Sequence, residues 1–179
     1  MHVRIKLAVG VAVVAALVIA VTTAVAGGGK SIRERLTGYQ ETPVALSTTG
    51  TGEFRAKLQL RDQEISYTLS YSSLEAPVTQ AHIHFGAPAQ TGGISVFLCT
   101  NLGNGPAGTQ ACPAAPATIS GTIRPADVIG PTGQGIAAGQ FDELISAMFA
   151  GVTYANVHST LYPGGEIRAQ LHVRGGDED

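Results

Sequence analysis

Three short segments carry the side chains able to do chemistry: Ala81-His82-Ile83-His84-Phe85-Gly86, Tyr154-Ala155-Asn156-Val157-His158-Ser159 and Pro163-Gly164-Gly165-Glu166-Ile167-Arg168. A strand turns successive side chains to opposite faces, so His82 and His84 share one face while Ala81, Ile83 and Phe85 take the other. Asn156 and His158 oppose Ala155 and Val157 in the same way. Glu166, Arg168, Gln170 and His172 oppose Ile167, Ala169 and Leu171. If these strands are neighbours, His82, His84 and His158 converge. Three imidazoles on rigid strands can coordinate a divalent metal, copper or zinc, with positions left for water or substrate. Affinity is then expected to fall as pH drops toward ~6, where ordinary imidazoles begin to protonate. The competing reading is a polar network without metal. In it Asn156, Glu166 and Arg168 join the histidines, and a Glu166–Arg168 pair orders the turn Pro163-Gly164-Gly165. H-x-H alone is a weak signal, and a histidine on the polar face of a strand is usually a surface or hydrogen-bonded residue, so motif logic puts the network slightly ahead. No catalytic residue is assigned: G-x-S-x-G does not occur, and no carboxylate pair of glycosidase type stands out.

The elements that must position these residues are strands. Residues 53–60 alternate with Phe54, Ala56, Leu58 and Leu60 on one side, Arg61-Asp62-Gln63 supplies a turn, and residues 64–71 alternate again with Ile65, Tyr67, Leu69 and Tyr71. That is a hairpin with one buried face. Further strands are expected over 78–85, 94–99, 118–123, 152–159 and 166–173, separated by Gly- and Pro-bearing turns. The fold expected from this pattern is all-β: an antiparallel β-sandwich of at least seven strands with one short helix. The helix falls over 141–149, where Phe141, Leu144, Ile145 and Met148 recur at helical spacing and Gly151 stands at the stop. Pro125-Ala126-Asp127-Val128 reads as a single helical turn with Pro at its first position.

Composition fits this and excludes other classes. The chain has 179 residues with 23 Gly, 9 Pro and no Trp, and its net charge of −2 lacks the basic surplus a nucleic-acid binder needs. Arg4 and Lys6 precede an apolar run from Leu7 to Val21, and Ala24-Val25-Ala26 offers a small-residue cleavage site, so residues 1–26 read as a signal peptide. The rival is an uncleaved anchor, in which residues 7–26 attach the protein to a membrane. Both place the domain outside the cytoplasm, secreted or extracytoplasmic. Residues 27–35 are expected to form a linker, 36–173 the domain, and 174–179 an acidic tail. Cys99 and Cys112, the only cysteines, flank a Gly/Pro loop and in an exported chain read as a disulfide. Composition names no protein partner.

At these residues the chain resembles the CHRD domain, the repeat first described in chordin and widespread in bacterial secreted proteins. The matching features run in order: Leu36-Thr37-Gly38-Tyr39-Gln40-Glu41-Thr42-Pro43-Val44, Gly50-Thr51-Gly52, Ala81-His82-Ile83-His84, Gly151 to Ser159, and Pro163 to Leu171. Ser159 stands where Thr is common and Ala169 where Gly is common. The resemblance implies an immunoglobulin-like or dismutase-like sandwich and no general activity. His82-Ile83-His84-Phe85-Gly86 also resembles the H-V-H-x-F-G strand of copper/zinc superoxide dismutase, whose histidines bind copper. Here His158 would be a third copper ligand, and with only His172 left in the mature domain there is no zinc loop. Three functions follow in order of expectation: a non-enzymatic exported binding module whose His cluster takes a divalent metal or a small polar ligand, a structural or adhesive surface domain, and a copper-dependent dismutase-like oxidoreductase.

Overall fold

The computed structural model describes residues 29–175. The expected leader or anchor at 1–26 and the final acids Asp177, Glu178 and Asp179 lie outside them. Apolar alternation becomes eight antiparallel strands: β1 (Lys30–Thr37), β2 (Thr51–Gln59), β3 (Glu64–Ser72), β4 (Val78–Phe85), β5 (Gly93–Thr100), β6 (Ala117–Ile123), β7 (Thr153–Ser159) and β8 (Ile167–Gln170). The expected helix is α1 (Phe141–Phe149), which buries Phe141, Leu144, Ala147 and Met148. The single turn at Pro125–Asp127 is a 3-10 turn, with the Asp127 carboxylate accepting from the Arg124 backbone N–H.

One expectation is corrected here. The stretch read as a linker over 27–35 contains most of β1, which pairs along its whole length with β2 from Lys30↔Leu58 to Thr37↔Thr51. Its inward face is Ile32, Glu34 and Leu36, and the charge in the middle hides the alternation. The family resemblance and the apolar pattern both start later than the strand does.

All eight strands belong to one sheet, in the order β5-β4-β7-β8-β1-β2-β3-β6. The sheet curls until its two edges nearly meet, so the two layers of the sandwich-like body are halves of a single sheet. Gln110 spans the remaining seam, its Nε2 donating to Leu98 O of β5 at 3.1 Å and to Ser120 O of β6 at 3.2 Å. The Tyr67 hydroxyl of β3 also reaches Leu98 O, at 3.2 Å. Inside lies one apolar core that draws on every strand, including Phe54, Leu69, Ile83, Leu98, Val157 and Ile167. The disulfide expected between Cys99 and Cys112 is present. It ties β5 to the following loop, which Asn101 closes further by bonding both backbone groups of Cys112.

Strands β4, β7 and β8 differ from the rest because both of their faces are covered. Every residue of β7 and β8 is buried, polar and apolar alike. Apolar side chains of these strands face the core. Their polar side chains face outward, but beneath a roof of loops rather than in solvent.

Candidate metal centre

The register of the sheet brings the sequence-predicted residues together. In β4 and β7, His82 pairs with Asn156, His84 with Tyr154 and Gln80 with His158. Between β7 and β8, Asn156 pairs with Arg168 and Tyr154 with Gln170. Beside β4 the pairing with β5 slips twice, between Ala81 and His82 and again between Ile83 and His84. Each slip gives β5 an extra residue, Leu98 and then Ser95, so that Phe97 lies opposite His82 and Ile94 opposite His84. Such bulges re-aim side chains and free backbone groups. The freed carbonyls find other partners: Leu98 O accepts from Tyr67 and Gln110, and Ser95 O from the Ile129 N–H.

The three histidines are not surface residues, as lone H-x-H logic anticipates: they are 0%, 7% and 5% exposed at positions 82, 84 and 158. Three loops make the roof. Residues after β1 bring Glu41 and Thr42, the β4–β5 turn brings Ala87, Gln90 and Gly92, and the β7–β8 turn brings Pro163 to Gly165. Gly165 has φ of +133°, and a Cβ there would stand 2.6 Å from Asn156 Oδ1 and 2.7 Å from Glu41 Oε2. Only glycine lets this turn press so closely onto the strand.

Hydrogen bonding fixes which ring nitrogens hold lone pairs. His84 Nδ1 lies 3.0 Å from Gly92 O, and His158 Nδ1 lies 3.0 Å from Pro163 O. A carbonyl only accepts, so both Nδ1 atoms carry the proton and both Nε2 atoms are lone pairs. His158 Nε2 faces His82 Nδ1 at 3.1 Å. His84 Nε2 and His82 Nε2 are buried and have no protein partner. One potential donor atom from each ring lies within 4.8 Å of those of the other two, and no Asp, Glu or Cys joins the group among the described residues. Backbone carbonyls that hold the far nitrogen of an imidazole are the usual second layer of a metal site. Two nitrogens bound to one ion at about 2.0–2.1 Å stand about 2.9–3.4 Å apart, a range that includes the His82–His158 separation.

The surroundings keep these rings neutral. Burial, followed by repulsion from the other two rings, pushes the His82 pKa from 6.5 down to about 2. Burial does the same for His84 and His158, each to about 4, against the opposing effect of their carbonyl bonds. With values this low, proton competition for a bound ion would begin well below the pH ~6 expected of ordinary imidazoles.

Asn156, Glu166 and Arg168 hydrogen-bond to groups other than the histidines, unlike the network expected. Asn156 Nδ2 donates to Glu41 Oε1 at 2.6 Å and to Ile167 O at 2.9 Å. Glu166 does not pair with Arg168. Its Oε1 accepts from the Thr48 hydroxyl at 2.8 Å and from the Glu75 N–H at 2.7 Å, while Oε2 is buried without a partner. Arg168 is 2% exposed and binds only neutral oxygens: Thr42 Oγ1, Gln90 O, Ala87 O and Gln170 Oε1. The guanidinium instead lies over Tyr154, 3.5 Å from the ring centre. The His84 ring stacks on Tyr154 as well, 4.7 Å centre to centre and 2° from parallel. It comes from β4, on the opposite side of β7 from Arg168.

Sequence reasoning assigned no role to Glu41 or Tyr154. Tyr154 was within reach, since 154, 156 and 158 share one strand face. Glu41 sits in the resembling N-terminal segment but in no strand pattern, and only the fold brings it to β7. Burial, ahead of the opposing effects of Asn156 and Arg168, raises its pKa from 4.5 to about 7. His172 lies apart from the cluster, 3.2 Å from Glu34 at the surface.

No curated protein and no solved structure matches the chain. The family model of the CHRD domain matches residues 32–171, which takes in β1 through β8, the three histidines and the whole roof. With that match over most of its length, the chain belongs to the CHRD domain family.

Proposed function

We propose that this domain is an exported binding module that takes one transition-metal ion, copper or zinc, on His82, His84 and His158. One observation carries the reading: three buried imidazoles converge, two of them turned by backbone carbonyls so that their lone pairs face inward. A buried lone pair without a donor is a standing cost that an ion removes. Export is supported by the leader-like pattern of residues 1–26 and by the Cys99–Cys112 disulfide, a bond of oxidising compartments. Among the described residues no helix is long and apolar enough to cross a membrane.

A second reading, in which the histidines only brace the roof, is favoured by the 3.1 Å His82–His158 contact, which also suits an N–H···N bond. A dismutase-like oxidoreductase ranks third, because rings this buried leave a bound ion little contact with a diffusing substrate. Calorimetric titration of copper and zinc into the metal-stripped, untagged protein separates the first two. We expect one ion per chain, and no binding in the His82→Ala, His84→Ala, His158→Ala triple variant. Equal affinity in parent and variant rejects the site.

A further inference from the structure

We propose that the ion this site selects is monovalent copper. This rests on the metal-binding reading above and adds the ion's charge and coordination number. The donors are three neutral imidazole nitrogens with no carboxylate or thiolate among them. The acids of the roof stand outside this donor group: Glu41 Oε1 accepts from Asn156 at 2.6 Å, and Glu166 Oε1 accepts from Thr48 and the Glu75 N–H. The nearby fixed charge is positive, because Arg168 stacks on the Tyr154 ring against which His84 also packs.

A dication placed here would enter a water-poor interior near the Arg168 guanidinium with no carboxylate or thiolate among its ligands to neutralise it, which is unfavourable. Zinc also asks for four ligands in a tetrahedron, and divalent copper for a tetragonal set. The three rings leave little room for a fourth. Phe97 meets the His82 ring edge-on at 4.4 Å, and Tyr154 covers a face of His84 at 4.7 Å. A monovalent d10 ion carries half the charge and is satisfied by three donors in a plane. Binding in a plane requires the 4.8 Å span of the donor group to shorten to about 3.5 Å, within reach of small side-chain rotations.

The test needs no variant. The purified protein, stripped of metal, is titrated without oxygen with cuprous ion in competition with a chromogenic cuprous chelator, and in parallel with Zn(II) and Cu(II). We expect one cuprous ion per chain, bound at least about a hundredfold more tightly than either dication. X-ray absorption of that form should show three nitrogen neighbours and no fourth ligand. Zn(II) or Cu(II) binding as tightly, or a fourth ligand in the cuprous form, overturns this inference and leaves the metal-binding proposal standing. No ion bound at all, or a cuprous ion held by fewer than three nitrogens, overturns both.

Discussion

His82 Nδ1 lies 3.1 Å from His158 Nε2 across a sequence separation of 76 residues. The distance suits either a shared proton or a shared ion, so the two states compete for the same lone pair. Ion binding should therefore appear as added stability. With ion at about 100 times its dissociation constant, the unfolding free energy rises by about 2.7 kcal/mol. In His82→Ala the rise should vanish and the metal-free domain should lose roughly 1–3 kcal/mol. His172→Ala should leave both unchanged. Denaturant melts with and without ion read all three.

Acid should weaken the metal-free fold earlier than the folded-state values suggest. The three histidines are held far below 6.5 when folded, so from about pH 6.5 downward the unfolded chain binds their protons and the native state does not. Their contribution is whole above that pH and drains as pH falls toward 4, at about 1.4 kcal/mol per pH unit per histidine. A urea midpoint that stays flat from pH 7 to 5 would contradict this.

Glu41 works with the opposite sign. Its folded pKa of about 7 exceeds its ordinary 4.5, so its contribution is whole below 4.5 and lost as pH rises through 7. Between those values it offsets one of the three histidine slopes. Glu41→Gln keeps an oxygen for Asn156 and carries no charge. It should stabilise the domain at pH 8 by on the order of 1–3 kcal/mol, with the difference gone by about pH 5.

Arg168 is a positioning residue. It holds Ala87 O and Gln90 O, and the same loop ends in the Gly92 carbonyl that fixes His84. Arg168→Lys keeps the charge but not the planar fork or the stack on Tyr154. We expect a loss of about 3–5 kcal/mol in stability. Ion affinity should weaken by about tenfold or more, and a lysine variant that matches the parent in both would refute the clamp.

Removing the disulfide should lower stability without unfolding the domain. Cys99 and Cys112 close a loop of 13 residues' separation, worth about 3 kcal/mol on the chain-entropy view. Both cysteines are buried, but the rest of the core, from Ile32 to Leu171, draws on every strand. The double Cys→Ser variant should keep its β-type circular dichroism and melt earlier.

Much of this was legible in the sequence. Seven strands announced themselves because one face of each is apolar, and α1 because Phe141, Leu144, Ile145 and Met148 keep helical spacing. The pairing of His82 with His84, and of Asn156 with His158, follows from period two alone. What stayed hidden depends on the third dimension. β1 puts Glu34 between Ile32 and Leu36, Glu41 reaches Asn156 from 115 residues away, and the roof that buries the histidines is made of loops without any pattern. Arg168 and Glu166 looked like partners because they share a face, but each found a closer bond elsewhere.

The place of β8 sets the order in which the protein can come into being. This last strand is not at an edge. It lies in the middle of the sheet, between β7 and β1, so the last of the described strands must be inserted beside the first. A chain still emerging from a ribosome, or threading through a pore, has His82 and His84 long before it has the strand that completes their surroundings. Arg168, which ties the roof down, arrives almost last. If the proposed ion binds, the finished site would meet it only after β8 has docked. The compartment in which folding ends would then decide which metals the site encounters.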